Sequence, residues 1–327
     1  MDIDSYLKSN SPIIDKEIEK IVPKTSKPFE VYGLIWEFLK RGGKRFRPIL
    51  CLTSCEAVGG DTKKAMPAAV AIELFHAFTL LHDDLEDDSE LRRGKPCLHI
   101  IYGVPLAINA GDGMFMLVFR ALTKLHYPPE KILDVQKVLI KNFTRVLEGQ
   151  AVELGWRENK IWEISERDYL KMVEGKTGAL ISAACEVGGI LGNGSKKQIA
   201  ALKDFGMQIG IAFQIQDDIL NLVGTEKKYK KEIGGDITEG KRTLMTIHAL
   251  RNGNKEKLLK LIGSGAKDKK TIKSAISILK STSSIDYAKN YAKKIVQNAR
   301  RKLKIIPNNE SRKILLDLAD FLINRDY

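Results

Sequence analysis

Cysteine is scarce in this chain of 327 residues, with four in all: Cys51, Cys55, Cys97 and Cys185. Their spacing matches no thiolate metal site, so packed thiols are expected. That usage fits a reducing, cytoplasmic compartment. Long hydrophobic runs are absent too. A membrane-spanning helix needs about 18 consecutive apolar residues, and none is expected here. The N-terminal Met1-Asp2-Ile3-Asp4-Ser5 is acidic and lacks an apolar core, which argues against a signal peptide. No two alternating runs flank a hairpin turn, so no strand is expected. Aromatic residues make up only 7% and do not alternate with the lysines, which argues against nucleic-acid binding.

What remains is helical. Hydrophobic residues make up 43% of the chain, enough for a large core. Apolar positions recur at helical spacing, and glycine and proline divide them into segments. A first helix is expected near residues 12–22, ended by Pro23, and a second near 29–40. A third begins at Pro48. A long one reaches Asp87, with Asp61 or Thr62 as its cap. Further helices are expected at 105–125, 130–154, 166–190 and 196–222, with shorter ones after the loop Gly224–Gly240. No composition shift marks a boundary. The expectation is one all-α domain over residues 1–327, a bundle of mostly antiparallel helices around a central cavity. The net charge of +13 comes largely from lysines after Lys196. Spread along helix faces, they read as solvated surface, with at most peripheral contact with an anionic membrane.

The chain is organised around Leu80-Leu81-His82-Asp83-Asp84-Leu85-Glu86-Asp87-Asp88. An almost uncharged helical run, Ala68–Leu81, delivers these carboxylates. Asp83 and Asp87 fall one turn apart on one face, where like charges repel. A lone acidic helix end is ordinarily a solvated cap. Here a second apolar helix also ends in carboxylates, at Gln214-Ile215-Gln216-Asp217-Asp218-Ile219-Leu220-Asn221. Hard oxygen ligands in small number suit Mg²⁺, which keeps waters and shares its shell with substrate phosphates. Arg92-Arg93 follows the first cluster and suits a phosphate held beside the metal.

Arg41-Gly42-Gly43-Lys44-Arg45-Phe46-Arg47-Pro48 is a cationic, glycine-broken turn entering a helix. Such helix N-termini attract anions. Alone it would read as a basic loop. His76, alone on an apolar helix, would read as core; its place two turns before Asp83 raises it to a candidate.

Together these stretches, from about Arg41 to Arg242, resemble the trans-type isoprenyl diphosphate synthase family, which makes farnesyl and geranylgeranyl diphosphates. The two aspartate stretches resemble the first and second Asp-rich motifs of that family. The resemblance implies a transferase that condenses isopentenyl diphosphate with an allylic diphosphate in a homodimer. It implies about three Mg²⁺ ions per site, held by Asp83, Asp87 and Asp217, with Asp84 and Asp218 as supporting carboxylates. Gly43, Lys44, Arg47, His76 and Arg93 would hold isopentenyl diphosphate, and Arg92 the allylic diphosphate. Lys176 would contact the leaving diphosphate, and Thr177 and Gln214 would stabilise the developing cation. Lys231 and Lys241 would close over the allylic diphosphate. Two departures stand out. Asn221 replaces the last aspartate of the second motif, and Glu153 replaces an aspartate after Gly149-Gln150.

Phe78 lies five residues before Asp83, roughly 7.5 Å along the helix at 1.5 Å per residue. In this family an aromatic there resembles the floor of a twenty-carbon pocket, whereas an aromatic in place of Thr79 would favour fifteen. Geranylgeranyl diphosphate is the expected product, and farnesyl diphosphate is the alternative. A terpene cyclase would have no use for the second basic site, and a silent regulatory subunit would commonly lose an Asp motif.

Overall fold

The computed structural model describes residues 2–22, 24–223, 234–262 and 268–324. Ten helices carry the first part of the chain: α1 (Ile3–Ile21), α2 (Phe29–Leu39), α3 (Phe46–Ala57), α4 (Thr62–Glu86), α5 (Leu98–Tyr102), α6 (Val104–Leu122), α7 (Pro129–Glu158), α8 (Glu166–Val173), α9 (Ala179–Leu191) and α10 (Lys196–Val223). Shorter helices follow, at Gly235–Thr238, Leu244–Asn252, Lys255–Ile262 and Lys269–Ser281, then longer ones at Ser284–Lys302 and Glu310–Asn324. The all-α expectation is met.

Three details depart from it. The first helix starts at Ile3, nine residues before the expected start at Pro12. The Asp2 carboxylate caps it by accepting from the Asp4 and Ser5 amides, and Pro12 sits inside it. Proline removes one helical hydrogen bond, but the amphipathic face carries on, burying Leu7, Ile14 and Ile18. Secondly, a two-stranded ladder does occur. β1 (Leu91–Arg92) pairs antiparallel with β2 (Lys95–Pro96). Arg93 and Gly94 form its turn with φ of 57° and 76°. Positive φ at both central residues is the hairpin turn whose twist suits antiparallel strands, but arginine seldom takes the first of these places. Thirdly, the helix expected over 166–190 is α8 and α9 joined by a π-helical turn at Glu174–Gly178.

Contacts divide the chain into two compact units. One comprises Met1–Phe143, Leu180–Gly206 and Lys302–Leu318. The other comprises Thr144–Ala179, Met207–Arg301 and Ala319–Tyr327. Each draws on three separated segments, so no linker in the sequence announces them.

In the first unit α4 is the central helix, packed against α3 and α6. By length and composition it could cross a membrane, but two thirds of its most apolar window is buried inside the protein. Ala68–Phe75 form an unbroken buried stretch, with Glu73 among them. The close approach of α9 to α3 requires a small residue: a Cβ on Gly188 would come within 2.2 Å of the Cys51 carbonyl oxygen. Cys51, Cys55, Cys97 and Cys185 are free and buried, as expected. In the second unit the Ser165–Asp168 capping box starts α8, which buries Tyr169, Met172 and Val173.

Candidate active site

In the first unit, α4 brings three predicted carboxylates to its C-terminal end. A helix C-terminus carries partial negative charge, so carboxylates there need compensation. Asp84 has it: the Arg92 guanidinium donates from Nε at 2.7 Å and also from Nη2. Both side chains are buried. Arg92 Nη2 also lies 3.4 Å from Asp83 Oδ2. Asp83 and Asp87 remain half-buried, one turn apart, with the Asp87 amide donating to the Asp83 carbonyl at 2.9 Å. No group of three or more metal-capable side chains occurs among the described residues. Two hard carboxylates at an open helix end fit a cation that completes its shell with water and phosphate oxygen.

The cationic turn reaches the same helix. Arg47 donates to His76 Nε2 at 3.0 Å, which leaves the imidazole proton on Nδ1. Close packing and the neighbouring Arg47, Arg93, Arg92 and Arg45 push His76 well below its ordinary pKa, so it is neutral. Arg93 packs against Gly43. A Cβ at Gly43 would meet the Arg93 guanidinium at 2.9 Å, and its φ of +149° also suits glycine. Lys44 is more exposed, with its ammonium 3.5 Å from Asp4. Of the five residues expected to bind isopentenyl diphosphate, Gly43, Arg47, His76 and Arg93 therefore form one cluster, with Lys44 at its edge. His76 precedes Asp83 by seven residues, roughly 10 Å along one helix.

Below Asp83, α4 presents Phe78. Its ring lies 5.6 Å from Phe75, 5.1 Å from Phe115 and 4.7 Å from His82. Phe143 stacks on Phe75 at 3.6 Å. Thr79 donates its hydroxyl to the His76 carbonyl. Sequence reading found Phe78 but not Phe75, Phe115 and Phe143, because two of these lie on other helices.

In the second unit, α7 crosses the π-helical turn at two glycines. A Cβ on Gly149 would come within 2.2 Å of the Lys176 amide nitrogen, and one on Gly175 within 2.7 Å of the Arg145 carbonyl. This close crossing presents Lys176 and Thr177. Lys176 pairs with Glu153, so the glutamate that replaces the expected aspartate still carries an ion pair. The Thr177 hydroxyl donates to Gln214 Oε1 at 2.7 Å, and Gln214 Nε2 donates to Asp218 at 2.8 Å. Tyr169 donates to the other Asp218 oxygen at 2.8 Å. Burial, then the charges of Asp236 and Asp217, push Asp218 well above the usual carboxylate range, against the hydrogen bonds from Gln214 and Tyr169. Glu153, Tyr169, Lys176, Thr177, Gln214 and Asp218 line a small cavity together with Lys241 and Arg242. Asp217, on the same helix turn, is half-buried. Lys241 pairs with Asp236 and Glu239, at 3.3 and 2.8 Å. Lys231 lies outside the described residues.

Asn221 has a different task from the aspartate it replaces. Its side-chain oxygen accepts from the Asp236 amide at 3.1 Å and its carbonyl from Gly234 at 2.7 Å. It holds the start of the helix Gly235–Thr238. Tyr169 escaped sequence reading because a lone tyrosine on a helix carries no pattern. Glu73 also escaped it, although it stands three residues before His76 on the same face.

The polyprenyl synthetase family model matches residues 30–279. The short chain isoprenyl diphosphate synthase of Methanothermobacter thermautotrophicus is 38% identical over the full length of both chains. Other relatives are named geranylgeranyl and geranylfarnesyl diphosphate synthases. The geranylgeranyl pyrophosphate synthetase of Pyrococcus horikoshii superposes with a TM-score of 0.92 at 40% identity, covering 99% of this chain and 98% of that one. A Caulobacter crescentus polyprenyl synthase, solved with calcium and isoprenyl diphosphate, superposes at 0.90 with 27% identity, covering 99% and 97%. With this fold and these matches, the chain belongs to the polyprenyl synthetase family and is a prenyl-transferring enzyme.

Proposed function

We propose that the protein condenses isopentenyl diphosphate with an allylic diphosphate and that geranylgeranyl diphosphate is its main product. The observation that carries this reading is the pairing of two different charged sites along α4: the Arg47–His76–Arg93 cluster, which suits a diphosphate directly, and, two turns on, Asp83 and Asp87, which suit one held through a metal cation. An enzyme that ionises one diphosphate and stops has no use for the first.

Asp83, Asp87 and Asp217 would hold Mg²⁺, about three ions with substrate bound. Bound Mg²⁺ neutralises the allylic diphosphate and so makes it a better leaving group. Lys176 and Lys241 place positive charge at the departing diphosphate, with Lys231 assigned the same part by position. The aligned dipoles of Thr177 and Gln214 stabilise positive charge developing on the allylic carbon. Gly43, Lys44, Arg47, His76 and Arg93 hold the second diphosphate, with His76 kept neutral as a directional partner. Asp84 serves by holding Arg92 next to Asp83, where Arg92 meets the allylic diphosphate. The proton lost after carbon–carbon bond formation passes to the departing diphosphate. Phe78, backed by Phe75 and Phe115, stops the growing chain, and Thr79 leaves room for twenty carbons.

The enzyme is proposed to work as a cytoplasmic homodimer. Supporting the dimer, Met116 and Phe119 of α6 and Leu133 and Ile140 of α7 are large, apolar and exposed. The functional test is product analysis by reversed-phase radiochromatography, with each allylic diphosphate in turn plus isopentenyl diphosphate and Mg²⁺. A twenty-carbon main product that requires both substrates is expected. Turnover of an allylic diphosphate alone would overturn the reading.

A further inference from the structure

We infer that Glu73 and Arg45 are positioning residues for the homoallylic half of the reaction. They form the strut that sets the cationic turn against α4. This rests on the reading that the turn holds isopentenyl diphosphate.

Arg45 is the residue before α3 and holds a left-handed backbone, φ 48°. An arginine seldom adopts that conformation unless its surroundings impose it. Its side chain is 4% exposed and donates three ways: to Glu73 Oε1 at 2.8 Å, to Asp15 at 2.8 Å and to the Leu39 carbonyl at 3.1 Å. These partners belong to α4, α1 and the end of α2. The turn is thus pinned at its middle residue, between Gly43 and Lys44 on one side and Arg47 on the other.

Glu73 is a buried anion, 3% exposed. It lines a narrow hollow with Arg45, His76 and Arg93. It also faces Arg93, where its charge opposes the lowering that burial and Arg45 impose on that guanidinium. Arg45 and Arg93 line that hollow beside neutral His76, and Arg47 donates to it. Without a buried counter-charge they would repel one another apart, since a desolvated cation without a partner is costly. Arg47 and Arg93 are the residues assigned to the substrate, whereas Arg45 and Glu73 satisfy each other. Neither touches substrate on this account; both act through the residues that do.

Glu73→Gln keeps the shape of the strut and removes its charge. The KM for isopentenyl diphosphate should rise at least tenfold, while the KM for the allylic diphosphate stays within about threefold, measured well below the melting temperature. Glu73→Asp, which keeps the charge on a shorter stem, should fall between wild type and Glu73→Gln, and it keeps the test open if Glu73→Gln does not fold. A lower melting temperature with both KM values unchanged would overturn the inference, as would an equal rise in both. Arg47→Ala separates the two levels. If it leaves the KM for isopentenyl diphosphate unchanged, the assignment of the turn is itself wrong. If it raises that KM and neither Glu73 variant does, only the strut is wrong.

Discussion

Single residues carry the electrostatics of this site, and His76 shows how. Enclosed beside several arginines, it stays neutral in the fold, whereas in the unfolded chain it would take up a proton near pH 6.5. Its folded pKa is depressed, so below about pH 6.5 the unfolded state binds more protons. Stability is then lost as pH falls, by at most about 1.4 kcal/mol per pH unit from this residue, and by less to the extent that water reaches the ring. His76→Gln should flatten the dependence of the urea midpoint on pH between 7 and 5; an unchanged slope would refute this origin. The variant tests linkage and not catalysis, since its KM will also change. Residue identities at the acidic motifs were legible in the sequence because carboxylates at helix ends demand a counter-charge. The roles of Arg45, Glu73 and Tyr169 were not, because each acts through partners distant in the chain.

At the scale of elements, close backbone crossings matter most. Gly149 lets α7 touch the π-helical turn, and the atoms a side chain would meet are backbone, which cannot swing aside. Gly149→Ala should destabilise the protein by about 1–3 kcal/mol and reduce turnover more than Ala substitutions elsewhere on α7. Chemical denaturation and steady-state kinetics would check both, and a fully stable, fully active variant would contradict the crossing. The helices themselves were readable from apolar spacing. The π turn was not, since glycines at 175 and 178 look alike in a regular helix and a bulged one. The hairpin at Leu91–Pro96 was also hidden, because its turn places an arginine where glycine or asparagine is usual. Another element-level expectation concerns chain length. Phe78→Ala removes one wall of an aromatic cluster on α4 and α6. Products longer than twenty carbons should appear on radiochromatography, and an unchanged product would move the floor to Phe75 or Phe115.

For the molecule as a whole, sequence reading recovered the all-α fold class. Two units built from interleaved segments leave no trace in composition. The exposed apolar residues were equally invisible, because helical spacing marks an apolar face without saying what covers it. Ile140, 58% exposed, is the sharpest probe of the proposed dimer. Ile140→Lys should halve the mass seen by sedimentation velocity at micromolar concentration. A wild-type protein already sedimenting as a monomer would remove that part of the proposal.

The hairpin at Leu91–Pro96 touches both the aspartate-bearing end of α4 and the cationic turn. Arg92 and Arg93 are chain neighbours, yet one grips Asp84 and lies by Asp83 while the other packs on Gly43. A single tight turn thereby acts as a gauge block between the places proposed for two reactants. Loosening it, for example with Gly94→Val at φ 76°, would leave each reactant able to dock while their carbons no longer meet at bonding range. Such damage would be quiet in equilibrium titrations and plain in the rate of the first turnover.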